Sequence, residues 1–247
     1  MGTVIEVQKI SKQYSGATEY SLNGVSLSIK RGDKLGIFGP NGAGKTTLIS
    51  IICGIIKQSE GEVIFNDGES SIELRSMLYK IGYVPQDFSF YPELTPYQNL
   101  MYFGALYDIT KTELKQKIKS LLSVLGLSHV THKKVGKFSG GMKRRVNLAI
   151  GIINDPAILF LDEPTVGVDV QSKNAIMTYL EELNRTGTTI IYTSHHMNEG
   201  QEFCNRIVLL DQGKLIADDS LQHLLKEYNE SSLEALFLSL TGIEYRD

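Results

Sequence analysis

Apolar positions along the chain fall into short runs, separated by glycine, proline and polar clusters. Residues 4–10 alternate loosely and Val25-Ser26-Leu27-Ser28-Ile29 alternates cleanly, the period of strands with one buried face. Arg31-Gly32-Asp33 turns the chain into Leu35-Gly36-Ile37-Phe38, which reads as a short buried strand. A glycine-rich loop interrupts the pattern, and Leu48-Ile49-Ser50-Ile51-Ile52-Cys53 resumes it as an apolar helix. Further strands are predicted at 61–68, closed by a turn, and at 81–84, ending at Pro85-Gln86. One helix begins near Thr95 or Pro96, and a second spans about 112–125 and stops at Gly126. Ser139 stands at the N-cap of a helix running to about 154, and residues 157–161 form a buried strand that ends in Asp162-Glu163. A helix over 170–185, a strand over 188–193, a strand over 206–211 and its partner over 214–217 follow. Two short helices, 221–228 and 233–240, close the chain, the last with Leu233, Leu236, Phe237 and Leu240 on one face. The pattern is that of an α/β protein.

Composition narrows the class. At 247 residues the chain suits one large domain, or a domain with a subdomain, with room for a real core. Apolar content of 42% and charged content of 21% are ordinary for a globular protein, and a net charge of −3 gives no electrostatic case for nucleic acid. The longest apolar run, near residues 48–56, falls well short of the ~18 residues that a membrane span needs. Residues 1–6 carry no signal-peptide pattern, and Cys53 and Cys204 are too few for a disulfide scaffold or a metal site. A cytosolic chain with buried thiols is expected, unless a partner holds it elsewhere.

The chemistry starts in the interrupting loop. Gly39-Pro40-Asn41-Gly42-Ala43-Gly44-Lys45-Thr46-Thr47 fits the phosphate-loop pattern G-x-x-x-x-G-K-[ST], between a strand and a helix as that pattern requires. Its amides and the helix N-terminus would face the phosphates of a nucleotide. Lys45 would reach the β- and γ-phosphates, and the Thr46 hydroxyl would ligate Mg²⁺. Asp162 and Glu163, at a strand end, suit a Mg²⁺ ligand and a group that orients attacking water. Tyr14, in a polar stretch, is either a base-stacking aromatic or a surface tyrosine. His195 is either a phosphate sensor or an ordinary exposed histidine. Ser139-Gly140-Gly141 followed by Lys143, Arg144 and Arg145 is an odd helix start, with glycines and cations where neither is favoured. It fits either an anion at that N-terminus or charges that project outward. Phe88, Phe90, Tyr91, Tyr97, Tyr102, Phe103 and Tyr107 crowd one short segment, as a local core or as a docking groove.

In their order and spacing, these pieces resemble the nucleotide-binding subunit of ATP-binding cassette (ABC) transporters over nearly the whole chain. The resemblance implies a P-loop NTPase core with a mixed, mainly parallel sheet and flanking helices, an N-terminal antiparallel β subdomain and an inserted α-helical subdomain. The expected division is a catalytic core at about 1–86 and 155–219, a helical subdomain at about 87–154 and C-terminal helices at 220–247. Tyr14 matches the adenine-stacking aromatic, Gln86 the glutamine that reaches Mg²⁺ and the attacking water, and Asp162 the Mg²⁺ aspartate. Glu163 matches the catalytic glutamate and His195 the γ-phosphate switch; His196 is left without a role. Phe138-Ser139-Gly140-Gly141-Met142 departs from leucine-serine-glycine-glycine-glutamine at both ends and keeps the phosphate-contacting serine and glycines. Asp169 keeps the dimer-contact loop. The resemblance further implies ATP and Mg²⁺ as cofactors and a second ABC subunit that closes head to tail. It also implies a separate membrane permease, docked at the aromatic segment, and a place on the cytoplasmic face of the membrane. Asp162-Glu163-Pro164-Thr165-Val166-Gly167-Val168-Asp169 and the tail at 233–242 resemble the drug- and polysaccharide-export branch. The alternative is a soluble cassette ATPase or nucleotide switch with a non-transport partner.

Overall fold

The computed structural model describes residues 2–66 and 71–242. In chain order the elements are β1 (Thr3–Lys12), β2 (Leu22–Lys30), β3 (Lys34–Phe38), α1 (Lys45–Ile52), β4 (Glu60–Asn66), β5 (Ser71–Ile72) and α2 (Leu74–Leu78). There follow β6 (Ile81–Val84), α3 (Pro96–Gly104), α4 (Lys111–Val124), α5 (Gly140–Gly151), β7 (Ile158–Asp162) and α6 (Val170–Arg185). The chain ends with β8 (Thr189–Ser194), α7 (Met197–Phe203), β9 (Arg206–Asp211), β10 (Lys214–Ser220), α8 (Leu221–Glu227) and α9 (Leu233–Thr241). Positions 67 and 68 of the expected strand at 61–68 lie outside the described residues. Two compact units emerge, one formed by residues 1–77 and 189–247 and the other by 78–188.

The first unit holds two sheets. An antiparallel sheet runs β2-β1-β4-β5, with Val7 opposite both Leu27 and Val63. The loose alternation of β1 has a cause: Lys9 sits at φ 50, and the register against β2 shifts between Val7 and Ile10. That bulge switches parity, so Ile5, Val7 and Ile10 are all buried. The second sheet orders β10-β9-β3-β8, with β3 parallel to both β8 and β9 and β10 antiparallel at the edge. Leu35, Ile37 and Phe38 of β3 and all of β8 are buried, as parallel strands covered on both faces require. Arg206 ties the two sheets, with paired bonds of 2.8 Å to the Asp218 carboxylate and one of 2.6 Å to Ser28 O. Of the expected apolar face of α9, Leu233, Leu236 and Phe237 are buried and Leu240 is half-buried.

The second unit pairs β6 with β7 in parallel and carries α3 to α6. Every residue of β7 is buried. α3 and α4 both open with capping boxes, Thr95 with Gln98 and Thr110 with Glu113, which is why their starts are sharp. Asn99, fully buried, accepts a hydrogen bond from Tyr91 N and donates to Tyr91 O and Thr95 O, pinning the turn before α3. Tyr91, Tyr102 and Phe103 pack edge and face at 5.1 to 6.1 Å between ring centroids. Among the seven aromatics of this segment none is buried, and Phe88, Tyr91 and Tyr102 are more than 40% exposed. They do not form a core. Among the described residues no helix is long and apolar enough to cross a membrane.

Candidate functional site

In the first unit the phosphate loop leaves β3 at Gly39 and returns as α1 at Lys45. A Cβ on Gly39 would lie 2.1 Å from Leu210 O, and one on Gly44, at φ 104, would lie 2.5 Å from Ser21 O. Both glycines are therefore required by the close approach of neighbouring backbone, and Gly44 by its left-handed conformation too. Pro40 and Ala43 are buried, the Ala43 amide donating to Pro40 O, while Asn41 and Gly42 form the exposed tip. Lys45 is 6% exposed, and its ammonium donates to Gly39 O at 2.7 Å and Pro40 O at 3.0 Å. The cation is thus held over the loop that frames it.

The start of α1 differs from most of the other helix starts. A serine, threonine or aspartate side chain caps α3, α4, α5, α6, α8 and α9. α1 has Gly44 at its N-cap, no side-chain cap and no acid in its first turn. An N-terminus left in this way, next to a lysine, is suited to an anion. Thr46 is exposed there, and the Thr47 hydroxyl lies 3.3 Å from that of Tyr14. Tyr14 is 44% exposed, with the Lys12 ammonium 5.3 Å from its ring centroid. The parallel pair Phe38 and Ser194 makes Gly39 and His195 leave the carboxyl ends of adjacent strands, about 4.8 Å apart. His195 is half-buried, its ring 4.0 Å from that of the exposed His196.

The second unit repeats this logic. Val84 pairs with Leu161, so Gln86 and Glu163 leave neighbouring strand ends. The Gln86 amide donates to Glu163 Oε2 at 3.1 Å. Asp162 and Glu163 are 1% and 6% exposed. Glu163 lies one residue beyond β7, at φ 49. A left-handed conformation costs a residue with a Cβ about 1–2 kcal/mol. Nothing in the local sequence marks it.

Ser139 caps α5 by accepting from Met142 N at 3.3 Å, and it is exposed together with Gly140. Gly141 is buried, and a Cβ there would lie 2.3 Å from Ser172 Oγ and 2.8 Å from Asp169 Oδ2. Asp169 caps α6, accepting from Ser172 N and Ser172 Oγ, both at 2.8 Å. Those bonds hold its carboxyl below the usual range. Of the two readings of the basic run, outward projection fails at Arg144, which is 5% exposed. Arg145 turns back to Leu125 O at 3.0 Å. α5 stops at Gly151, short of the expected 154.

Residues 22–166 match the family of ABC transporters. Linearmycin resistance ATP-binding protein LnrL of Bacillus subtilis (strain 168) is 41% identical over 87% of this chain and 68% of its own length. Nod factor export ATP-binding protein I of Burkholderia orbicola (strain AU 1054) is 33% identical over 90% of this chain and 72% of its own. Among solved structures, the dimeric post-hydrolysis state of the ATP-binding cassette MJ0796 bound to ADP and Pi superposes with a TM-score of 0.79 at 29% identity. That alignment covers 88% of this chain and 98% of MJ0796.

Proposed function

The chain belongs to the ABC transporter family and is an ATP-binding ATPase of it, and from that premise we propose that it energises export through a separate membrane permease. Similarity to proteins named for linearmycin resistance and Nod factor export supports the direction. The exposed aromatic segment around Tyr91 and Tyr102 is the docking face for the permease, which holds the chain at the cytoplasmic side of the membrane. Two copies, or this chain and a paralogue, close head to tail on ATP, so that Ser139, Gly140, Gly141 and Asp169 of each complete the site of the other.

Within this reading Tyr14 stacks on adenine, and residues 39–47 wrap the phosphates. Lys45 neutralises the β- and γ-phosphates, and His195 contacts the γ-phosphate. The candidate metal donors are the Thr46 hydroxyl, the buried Asp162 carboxylate and the Gln86 amide, all hard oxygen. That set fits Mg²⁺, which binds through few protein groups and takes its other ligands from phosphate and water. Bound there, Mg²⁺ would offset phosphate charge as the bond to the leaving group breaks. Glu163 orients the water that attacks the γ-phosphate and accepts its proton.

The observation that carries the hydrolytic role is the Gln86 to Glu163 hydrogen bond at 3.1 Å, which fixes a carboxylate held in a strained backbone. Glu163→Gln keeps the shape and the acceptor but removes the base. It is expected to bind ATP normally, to turn over on the order of 10²-fold more slowly, and to accumulate as a dimer in size-exclusion chromatography. Near wild-type turnover in that variant would remove Glu163 from the mechanism.

A further inference from the structure

Arg144 has no part in the roles assigned above, yet its setting is costly. It lies early in α5, where a cation opposes the helix dipole, and it is buried. Burial is the main influence on its guanidinium and pushes the pKa down, against the pull of the negative charges of Glu163 and Asp87. An apolar side chain of similar size would fill the space without that desolvation. What the guanidinium does instead is join three segments. Nη1 donates to Gln86 O at 2.6 Å, and Nη2 donates to Val166 O at 3.3 Å. The guanidinium carbon sits 4.9 Å from the centroid of the Phe88 ring, while Nε is buried without a hydrogen-bond partner. Gln86 carries the amide bonded to Glu163, Val166 lies in the turn between Glu163 and Asp169, and α5 begins at the Ser139 cap.

We propose that Arg144 is a positioning residue for ATP hydrolysis: its planar fork fixes the Gln86 backbone and the turn at Val166 to the start of α5, and so sets the Gln86 amide against Glu163. The proposal rests on the roles given above to Gln86 and Glu163. Charge alone does not suffice. Two divergent carbonyls and a ring face call for a flat group with donors on separate edges, which a lysine ammonium cannot supply. A shift of about 1 Å in groups around a reacting phosphate can cost on the order of 10²-fold.

The test compares steady-state ATP hydrolysis by the purified full chain with that of Arg144→Lys and Phe88→Leu, each checked for folding by circular dichroism and thermal melting. Arg144→Lys is expected to lower kcat about 10-fold or more while KM for ATP moves less than about 2-fold. Phe88→Leu, which keeps both carbonyl bonds and removes the ring face, should give a smaller fall in the same direction. In a Glu163→Gln background, Arg144→Lys should add no further loss, because it acts through the group already removed. An unchanged kcat in folded Arg144→Lys, or a loss that multiplies in the double variant, overturns the proposal while the functional reading stands. Should Arg144→Lys fail to fold, an unchanged kcat in Phe88→Leu overturns it. Wild-type turnover in Glu163→Gln alone would overturn the functional reading itself.

Discussion

Gly141→Ala puts a methyl group roughly 1 Å closer to Ser172 Oγ than the 3.4 Å at which ordinary van der Waals contact begins. The neighbours are Ser172 Oγ at 2.3 Å and Asp169 Oδ2 at 2.8 Å, the two ends of the side-chain hydrogen bond beside the α6 cap, so relief requires that bond to open. Losing such a bond costs about 1 kcal/mol. Overpacking at a close contact adds about 1–3 kcal/mol. Alanine in place of glycine within a helix returns about 1 kcal/mol. The net is a destabilisation of about 1–3 kcal/mol, or a fall in Tm of roughly 3–10 °C for a chain of this size. Thermal melting of the two proteins measures it. Gly140→Ala is the control: a Cβ there meets only Gly167 O, at 3.1 Å, and should shift Tm by no more than a few degrees. Equal melting of Gly141→Ala and wild type would refute the steric account.

A second variant separates packing from catalysis. Gly141→Ala with Ser172→Gly removes the clashing hydroxyl and should recover most of the lost Tm, less about 1 kcal/mol for a glycine in α6. If ATPase activity recovers as well, glycine is needed at 141 to pack inside its own chain. Activity that stays low in a restored fold would assign Gly141 to the nucleotide of the second subunit.

Two further expectations follow from single contacts. Tyr14→Ala should weaken ATP binding about 5-fold, the loss of a stacking energy near 1 kcal/mol, whereas Tyr14→Phe should bind within about 2-fold of wild type. Titration with a fluorescent ATP analogue reads both, and an unaltered affinity in Tyr14→Ala would exclude stacking. Asp169, whose folded pKa is lowered by Ser172, contributes stability above its unfolded value of about 3.9 and loses it as pH falls through the lower folded value. Asp169→Asn keeps a capping oxygen but not the charge, so its Tm should lie below wild type near neutrality and converge on it below about pH 4, with a flatter acid limb. An acid limb of unchanged slope would show that the carboxylate carries no such linkage.

The parts legible in the sequence are those written in contiguous residues. The phosphate loop draws its lysine, hydroxyls and glycines from nine neighbours, and Ile81–Val84, Val170–Arg185 and Arg206–Asp211 have the expected bounds. Asp169 before α6 and Gly187 after it are local start and stop signals. α7 escaped because Met197-Asn198-Glu199-Gly200-Gln201-Glu202-Phe203 is short, polar and broken by glycine. Its Met197, Gly200 and Phe203 nonetheless lie buried along one side. Other features were visible only as breaches of a local rule: glycine at a helix start and a cation against a helix dipole. Their reasons lie far along the chain, at Ser172 for Gly141 and, for Arg144, at carbonyls 58 and 22 residues away. Glu163, at positive φ, was not visible even as a breach. All three residues lie in one unit and touch Gln86, Val166, Asp169 or Ser172. Strain, desolvation and the loss of a side chain each cost stability, and a fold selected for stability alone would scatter such costs. Positive φ alone marks no site, since Lys9, Asp155, Gln212 and Asn229 share it elsewhere. But strain, a buried cation and a position without a side chain meet around the Gln86 to Glu163 bond and the α6 cap, which argues that there these costs hold groups in place.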